Sequence, residues 1–301
     1  MDELLRAVDR DQTVRVVAVR TTDTVQEAAR RQGLTPSETV ALGRAMTAGC
    51  LLATLAKSDR ERVRLRFQGR GRVDGVLVDA RGDGTVRACL KPTLDDENHP
   101  LAAVIPGPHR RPSLAPLLGT QGYLVVTRDL GLAQPYEGSS DWVSGEVDED
   151  VEAYLNNSEQ LPSAMTCETI VDAGGVVRSA GVLCQGLPDL DPQRIQAVRD
   201  TFADGALYQL LHQAREPADL VGFALGGDAF LPMGHHRVRF ACSCGPAAAR
   251  RVLASLGAAD LDALAAERPE TTVSCSFCGA TETLSADAVR ALAGELRAER
   301  S

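Results

Sequence analysis

Cys242-Ser243-Cys244 and, thirty residues further on, Cys275-Ser276-Phe277-Cys278-Gly279 decide how this 301-residue chain is read. Four of its eight cysteines sit there as two close pairs, while Cys50, Cys89, Cys167 and Cys184 are scattered. Clustered thiols of this kind are what a tetrahedral zinc site needs. A gap of one or two residues lets a single turn present two sulfurs to one ion, and the long gap closes a loop around it. The same spacing also allows two local disulfides. From spacing alone, a permanent structural zinc ribbon and a redox switch stand equally open.

The tail around these pairs is small. Ala247 to Leu256 has helical spacing, with Val252, Leu253 and Leu256 on one side and Gly257 at its end. Asp260 to Glu267 predicts a second helix, and Thr271-Thr272-Val273 a short strand that delivers Cys275. Ser285 caps a last helix carrying Val289, Leu292 and Leu296. So few large apolar groups make a poor independent core. A structural metal supplies what is missing, since zinc sites contribute about 10–16 kcal/mol in small modules. Loss of the metal is expected to unfold this tail.

Upstream, Leu187-Pro188-Asp189-Leu190-Asp191-Pro192 marks the best boundary. Beyond it, Ile195, Val198, Phe202, Leu207, Leu210 and Leu211 predict short helices broken at Asp204-Gly205. Pro217 begins another helical stretch, stopped by Gly226-Gly227. Residues 189–241 therefore read as a helical linker resting on a neighbouring domain. Residues 1–188 mix strands and helices without a steady βαβ rhythm, which predicts an α+β domain. Thr35-Pro36-Ser37-Glu38 is a strong helix start: cap, Pro at the first position and Glu at the third. The helix from there to about Lys57 is apolar on most faces, as a buried central helix would be. Another helix is predicted from Thr24, with Asp23 as its N-cap, and a third over 146–160. Strands are predicted at 14–20, at 123–127 and at 63–67, where Arg64 and Arg66 alternate with apolar residues. Hairpins are predicted over 76–90 and 169–184, a turn at 134–138, and an irregular loop over 91–116.

Bulk properties exclude several functions. A hydrophobic content of 44% suffices for a packed core, and the net charge of −9 disfavours a nucleic-acid binder. The tail repeats the sign, with eight acids against six arginines over residues 242–301. Lysine occurs only at Lys57 and Lys91, and no glycine-rich phosphate loop carries either. No apolar run reaches membrane length, and Met1-Asp2-Glu3-Leu4-Leu5-Arg6 is unlike a secretory signal. A cytoplasmic location follows as the expectation, and in that reducing compartment paired cysteines bind metal or act in redox chemistry. The scattered cysteines lie in apolar or strand-like surroundings and are expected to be small buried hydrophobes. His235-His236 read as solvated loop residues, because four thiols already complete a tetrahedral shell. Ser158-Glu159 reads as a helix C-terminal turn, since no nucleophile elbow accompanies it.

These segments together resemble the heat-shock-protein-33 family of redox-regulated chaperones. Phe240-Ala241-Cys242-Ser243-Cys244 and Val273-Ser274-Cys275-Ser276-Phe277-Cys278-Gly279 match its redox module. Val143-Ser144-Gly145-Glu146, then Tyr154-Leu155-Asn156-Asn157-Ser158-Glu159-Gln160-Leu161-Pro162-Ser163, look like its upstream stretches, as does Ala180-Gly181-Val182-Leu183-Cys184-Gln185-Gly186-Leu187-Pro188. The chain departs from the family at Gly245-Pro246, usually Ser and basic residues, at Glu282, usually tyrosine, and at Val182, commonly a second glycine. None of these removes a ligand. The resemblance implies a chaperone core over 1–188, the linker over 189–241 and a zinc-binding redox-switch domain over 242–301. It implies one Zn2+ per chain in the reduced form, held by Cys242, Cys244, Cys275 and Cys278. Oxidation would pair Cys242 with Cys244 and Cys275 with Cys278, expel zinc and unfold the tail. The product would be an ATP-independent holdase, not an enzyme, homodimeric when oxidised. Its partners would be unfolded or partly unfolded client proteins, with no nucleic acid and no membrane. Two other readings stand beside it: a constitutive zinc-stabilised interaction module or adaptor, and a disulfide oxidoreductase using Cys275 and Cys278. The second lacks the strand–CxxC–helix setting of the thioredoxin type.

Overall fold

The computed structural model describes residues 1–54, 58, 60–92, 111–188, 191–213 and 216–298, divided after Ala241 into two units. The expected helix end at Lys57, most of the expected loop over 91–116, and Asp189-Leu190 lie outside the described residues. Strands of the first unit are β1 (Glu3–Asp9), β2 (Val14–Arg20), β3 (Arg62–Gly69), β4 (Val73–Arg81), β5 (Thr85–Pro92), β6 (Gly122–Asp129), β7 (Tyr136–Asp141), β8 (Ser163–Asp172), β9 (Gly175–Gly186), β10 (Phe230–Arg237) and β11 (Arg239–Phe240). Its helices are α1 (Thr22–Gln32), α2 (Pro36–Ala53), α3 (Ala115–Leu118), α4 (Val147–Asn157), α5 (Pro192–Phe202), α6 (Ala206–Leu210) and α7 (Pro217–Ala224). The second unit holds α8 (Pro246–Ala254), α9 (Ala258–Glu267), β12 (Glu270–Ser274), β13 (Thr281–Ser285) and α10 (Ala286–Ala298). The fold class is α+β, as the sequence predicts.

Helix α2 is the centre of the first unit. Its start is the predicted capping box, with Glu38 N–H donating to Thr35 Oγ1 and Thr35 N–H to Glu38 Oε2, at 3.4 and 2.8 Å. Its apolar residues face two sheets at once. One sheet runs β10-β1-β2-β9-β8, antiparallel throughout; the other runs β11-β5-β4-β3-β6-β7, antiparallel except for β11 beside β5. Leu42, Met46, Leu51 and Leu52 join Val17, Val19 and Leu183 of the first sheet and Leu65, Phe67 and Val78 of the second in one core. Two glycines permit this sandwich. A Cβ on Gly43 would lie 2.4 Å from Thr169 Oγ1 on β8, and one on Gly49 would lie 2.6 Å from Val78 Cγ1 on β4. Helix α1 starts two residues earlier than predicted. The Thr21 hydroxyl is taken up by Thr47 and Ser179, and Asp2 supplies the cap, accepting from Thr24 N–H at 2.7 Å.

The outer face of the five-stranded sheet forms a second core. Leu5, Val14, Val16 and Val182 lie under Ile195, Val198, Leu207, Leu220 and Val221 of α5, α6 and α7. The segment expected to be a helical linker thus carries the predicted helices. It also carries β10, a strand not foreseen, which pairs with β1 from Glu3↔Arg237 to Asp9↔Phe230. β11 then holds to β5 over only two residues, and Ala241 N–H donates to Val86 O at 3.1 Å.

In the second unit, Leu253 of α8, Leu261 and Ala265 of α9, and Val289, Leu292 and Ala293 of α10 make a small separate core. β12 and β13 form an antiparallel hairpin, in register from Glu270↔Ser285 to Ser274↔Thr281. The sequence foresaw β12 but not β13.

Candidate metal centre

The β12–β13 hairpin builds half of the cysteine site. Its turn is closed by Cys275 N–H donating to Ala280 O and by Gly279 N–H donating to Cys275 O, both at 2.8 Å. Gly279 sits at φ +71, where glycine alone carries no Cβ penalty. The turn brings Cys275 and Cys278 to the same side, and the backbone N–H groups of Phe277 and Cys278 are directed at the Cys275 sulfur. The other half precedes α8. Cys242 and Cys244 lead into Gly245 at φ +151, and Pro246 opens the helix at a position where no N–H is needed. The Gly245-Pro246 departure thus makes a tight entry into α8.

The four Sγ atoms lie within 4.8 Å of one another, and they are the ones singled out in the sequence. Cys242 and Cys275 approach to 3.6 Å and Cys244 and Cys278 to 3.2 Å, and none of the four is in a disulfide. A tetrahedron with metal–sulfur bonds of about 2.3 Å has edges of about 3.8 Å. The sulfurs therefore already stand near the corners such an ion requires. Without a cation they crowd one another: contact with Cys278 foremost, then burial, pushes the Cys244 thiol up, and burial does the same to Cys275. A divalent ion held by Cys242, Cys244, Cys275 and Cys278 would reverse that, keeping the sulfurs as thiolates. A tetrahedral set of four thiolates suits zinc or an iron–sulfur centre.

The remaining sequence candidates are structural. Cys50, Cys89, Cys167 and Cys184 are buried in α2, β5, β8 and β9. Burial pushes the Cys50, Cys167 and Cys184 thiols far above the range in which a thiolate could react. His235 and His236 lie on β10 and not in a loop, and His236 Nε2 is 3.1 Å from Arg6 Nη2. Ser158 ends α4, and Glu159 is held by Arg128 at 2.9 Å, so neither serves a triad. Glu282 lies on β13 opposite Val273.

The sequence reading missed a buried ionic cluster in the first unit. Arg44, on α2, is fully enclosed and donates to Glu146 Oε2, Glu168 Oε2 and Pro112 O at 2.8, 2.8 and 2.9 Å. Arg111 pairs with Asp148, and its Nε lies 2.7 Å from Glu168 Oε1 but off hydrogen-bond direction, so that contact is coulombic. Burial opposes the Arg111 charge, yet Asp148, Glu168 and Glu146 outweigh it and hold the guanidinium firmly protonated. The signal was present: Arg44 interrupts an otherwise apolar helix, and a buried charge demands partners.

Comparison with known proteins agrees with this geometry. A family model described as Hsp33 protein matches residues 2–285. The 33 kDa chaperonin of Trichodesmium erythraeum is 36% identical over 282 residues, covering 92% of this chain and 88% of that one. The 33 kDa chaperonin of Geobacter sulfurreducens is 34% identical over 280 residues, covering 92% and 90%. The crystal structure of the 33 kDa chaperonin (heat shock protein 33 homolog) from Thermotoga maritima superposes with a TM-score of 0.83 at 27% identity, covering 97% of this chain and 98% of that one.

Proposed function

Because the chain belongs to the Hsp33 family of chaperones, we propose that it is an ATP-independent holdase kept idle by zinc and released by oxidation. The observation that carries this reading is the four-sulfur cluster in a unit with little else to hold it. Its large, fully enclosed apolar side chains are Leu253, Leu261, Val289 and Leu292. At about 1.5–3 kcal/mol each they contribute roughly 6–12 kcal/mol. A structural zinc contributes about 10–16 kcal/mol. The metal is thus a support of the same size as the enclosed core, and Cys242, Cys244, Cys275 and Cys278 would hold it.

Thiolates are the form that oxidants attack. Each disulfide joins two sulfurs and gives up two electrons, which a peroxide takes, with two protons, to become two waters. Pairing Cys242 with Cys244 and Cys275 with Cys278 removes every ligand. These disulfides close tiny loops and restrain the chain little in exchange. Residues 242–301 then lose order. The weak join upstream is β11, with its two-residue hold on β5. The cover beyond it consists of helices of 11, 5 and 8 residues, too short to persist without packing. Loosening them bares the apolar face around Leu5, Val14, Val16 and Val182 to unfolding clients. The active form is a homodimer. A reducing cytoplasm keeps the resting state; no described helix is long and apolar enough to cross a membrane.

The test measures zinc release with a chromogenic chelator and client aggregation by light scattering, before and after peroxide with mild heat. Release of one zinc per chain together with a gain in anti-aggregation activity is expected. Retained zinc, or loss without that gain, refutes the reading. Equal activity in the reduced form points instead to a constitutive interaction module, and turnover of a dithiol substrate to an oxidoreductase. Disulfide mapping checks the pairing, because the nearest sulfurs in the reduced fold run between the pairs, Cys242 to Cys275 and Cys244 to Cys278.

A further inference from the structure

The six-stranded sheet has one face on α2 and another facing away. Val63, Leu65 and Phe67 of β3 enter the core, so Arg62, Arg64 and Arg66 stand on the opposite face. Register extends the pattern. Arg62 is opposite Arg81, Arg64 opposite Asp79 and Arg66 opposite Leu77; Asp79 is in turn opposite Arg87, and Arg239 of β11 is paired with Thr85. Six arginines on four adjacent strands thus share a face in a chain whose net charge is −9.

Their neutralisation is incomplete. Asp79 alone serves three of them: Arg64 at 2.7 Å, Arg87 at 2.9 Å and Arg62 at 3.9 Å. The load shows in Asp79 itself: burial pushes its carboxyl up, but Arg64 and Arg87 outweigh that and hold it below the ordinary range. Arg66 has no hydrogen bond or ion pair among the described residues, and it lies between Leu77 and Val125 of the flanking strands. Asp129 of β6 stands opposite Arg62, Asp83 in the β4–β5 turn interacts electrostatically with Arg239 and Arg81, and Glu137 and Asp141 lie on the edge strand β7.

We propose that this arginine face binds extended acidic polypeptide segments, which makes acidic unfolding chains the preferred clients. Charge complementarity is the first reason. The second is period. Along β3 the arginines recur every second residue, about 6.7 Å apart, the spacing at which an extended polypeptide presents its own alternate side chains. The third is what the face lacks. The aromatic residues on these four strands, Phe67 and Phe240, pack toward the core. Single-stranded nucleic acid depends on stacking successive bases on aromatic rings, and among the described residues this face offers one exposed ring, Tyr123 of β6, tied to Gln68 at the end of the arginine row. The part of the face on β3, β4 and β5 does not depend on the oxidation state of the cysteines, so it captures chains at range while the apolar surface holds them. Calling the bound segment a client rests on the holdase reading; the binding itself does not.

The test uses the full-length, reduced protein and a fluorescein-labelled peptide of alternating Glu and Ala, read by anisotropy at low salt. Salt-sensitive binding is expected. Arg66→Glu should weaken it about tenfold, with the gap closing as salt rises. Arg66→Gln should fall between, and both variants should keep the wild-type thermal transition. No binding by the wild type, equal binding by Arg66→Glu, or tighter binding of an oligothymidine than of the peptide overturns the proposal. If peptide binding holds while oxidised protein fails to suppress aggregation, the holdase reading falls and this one stands.

Discussion

Replacing Arg44 by Met tests the buried ionic cluster. In the native fold two cations, Arg44 and Arg111, face three carboxylates, Glu146, Asp148 and Glu168. Arg44→Met leaves one cation for three. Glu146 keeps Ser113 Oγ and Leu114 N–H, each at 2.7 Å, but Glu168 keeps only the off-axis contact with Arg111. Breaking a buried pair from one side costs about 3–5 kcal/mol, a large part of a domain margin of roughly 5–15 kcal/mol. With a urea m-value of about 3 kcal/mol/M, the midpoint falls by about 1–1.7 M. Trp142, the sole tryptophan, is nearly buried in the first unit and reports its unfolding by fluorescence.

The pH dependence sharpens this test. Burial raises the Glu168 carboxyl even with both arginines present, and losing Arg44 raises it further. A raised acid binds a proton in the folded state that the unfolded chain gives up. The deficit is therefore small below the ordinary glutamate value of about 4.3 and grows as pH rises through the folded value. Arg44→Met/Glu168→Gln should recover more than half of the loss at neutral pH. A midpoint shift under about 0.3 M, or a deficit independent of pH, would falsify the view that an uncompensated buried charge dominates.

Three further perturbations follow. Cys275→Ser should abolish tight zinc binding and make residues 242–301 protease-sensitive while the Trp142 transition stays put; resistance equal to the wild type contradicts the metal's structural role. Gly43→Ala drives a methyl to 2.4 Å from Thr169 Oγ1 and 2.9 Å from Val25 Cγ1. The overpacking of about 1–3 kcal/mol should exceed the helix-propensity gain of about 1 kcal/mol, and a raised melting temperature refutes it. Burial holds the Asp150 carboxyl up to about 6, against the backbone N–H groups of residues 143–145. The stability it lends is full below about pH 4 and lost as pH rises through about 6. Asp150→Asn, which keeps the acceptor oxygen, should flatten the midpoint profile across that window; an unchanged slope rules out Asp150 as its source.

What the sequence made legible were features with local causes. The capping box at Thr35–Glu38 placed α2, the alternation of arginine with apolar residues placed β3, and the gaps between cysteines foretold the four-sulfur cluster. Features with distant causes were not legible. β10, Phe-Leu-Pro-Met-Gly-His-His-Arg, has poor strand propensity. It forms as an edge strand, where the missing N–H of Pro232 does little harm, and the ladder shifts register where Pro232 meets Ala7. The turn expected over 134–138 takes in the first half of β7, where Gly138 makes room for the Tyr154 hydroxyl, 2.7 Å from where a Cβ would stand. Arg44 and Glu168 are 124 positions apart, and no local pattern joins them.

The pairing of β1 with β10 also orders the protein's own birth. The first strand leaves the ribosome long before its outer neighbour exists, since Glu3 pairs with Arg237. At about 5–20 residues per second the wait is roughly 10–45 s, during which a nascent sheet edge stands open. The cysteine-bearing unit emerges only after that edge is closed. If the four cysteines hold a metal as proposed, its loading would be the last act of synthesis, and until then only residues 242–301 of a new copy would lack their support.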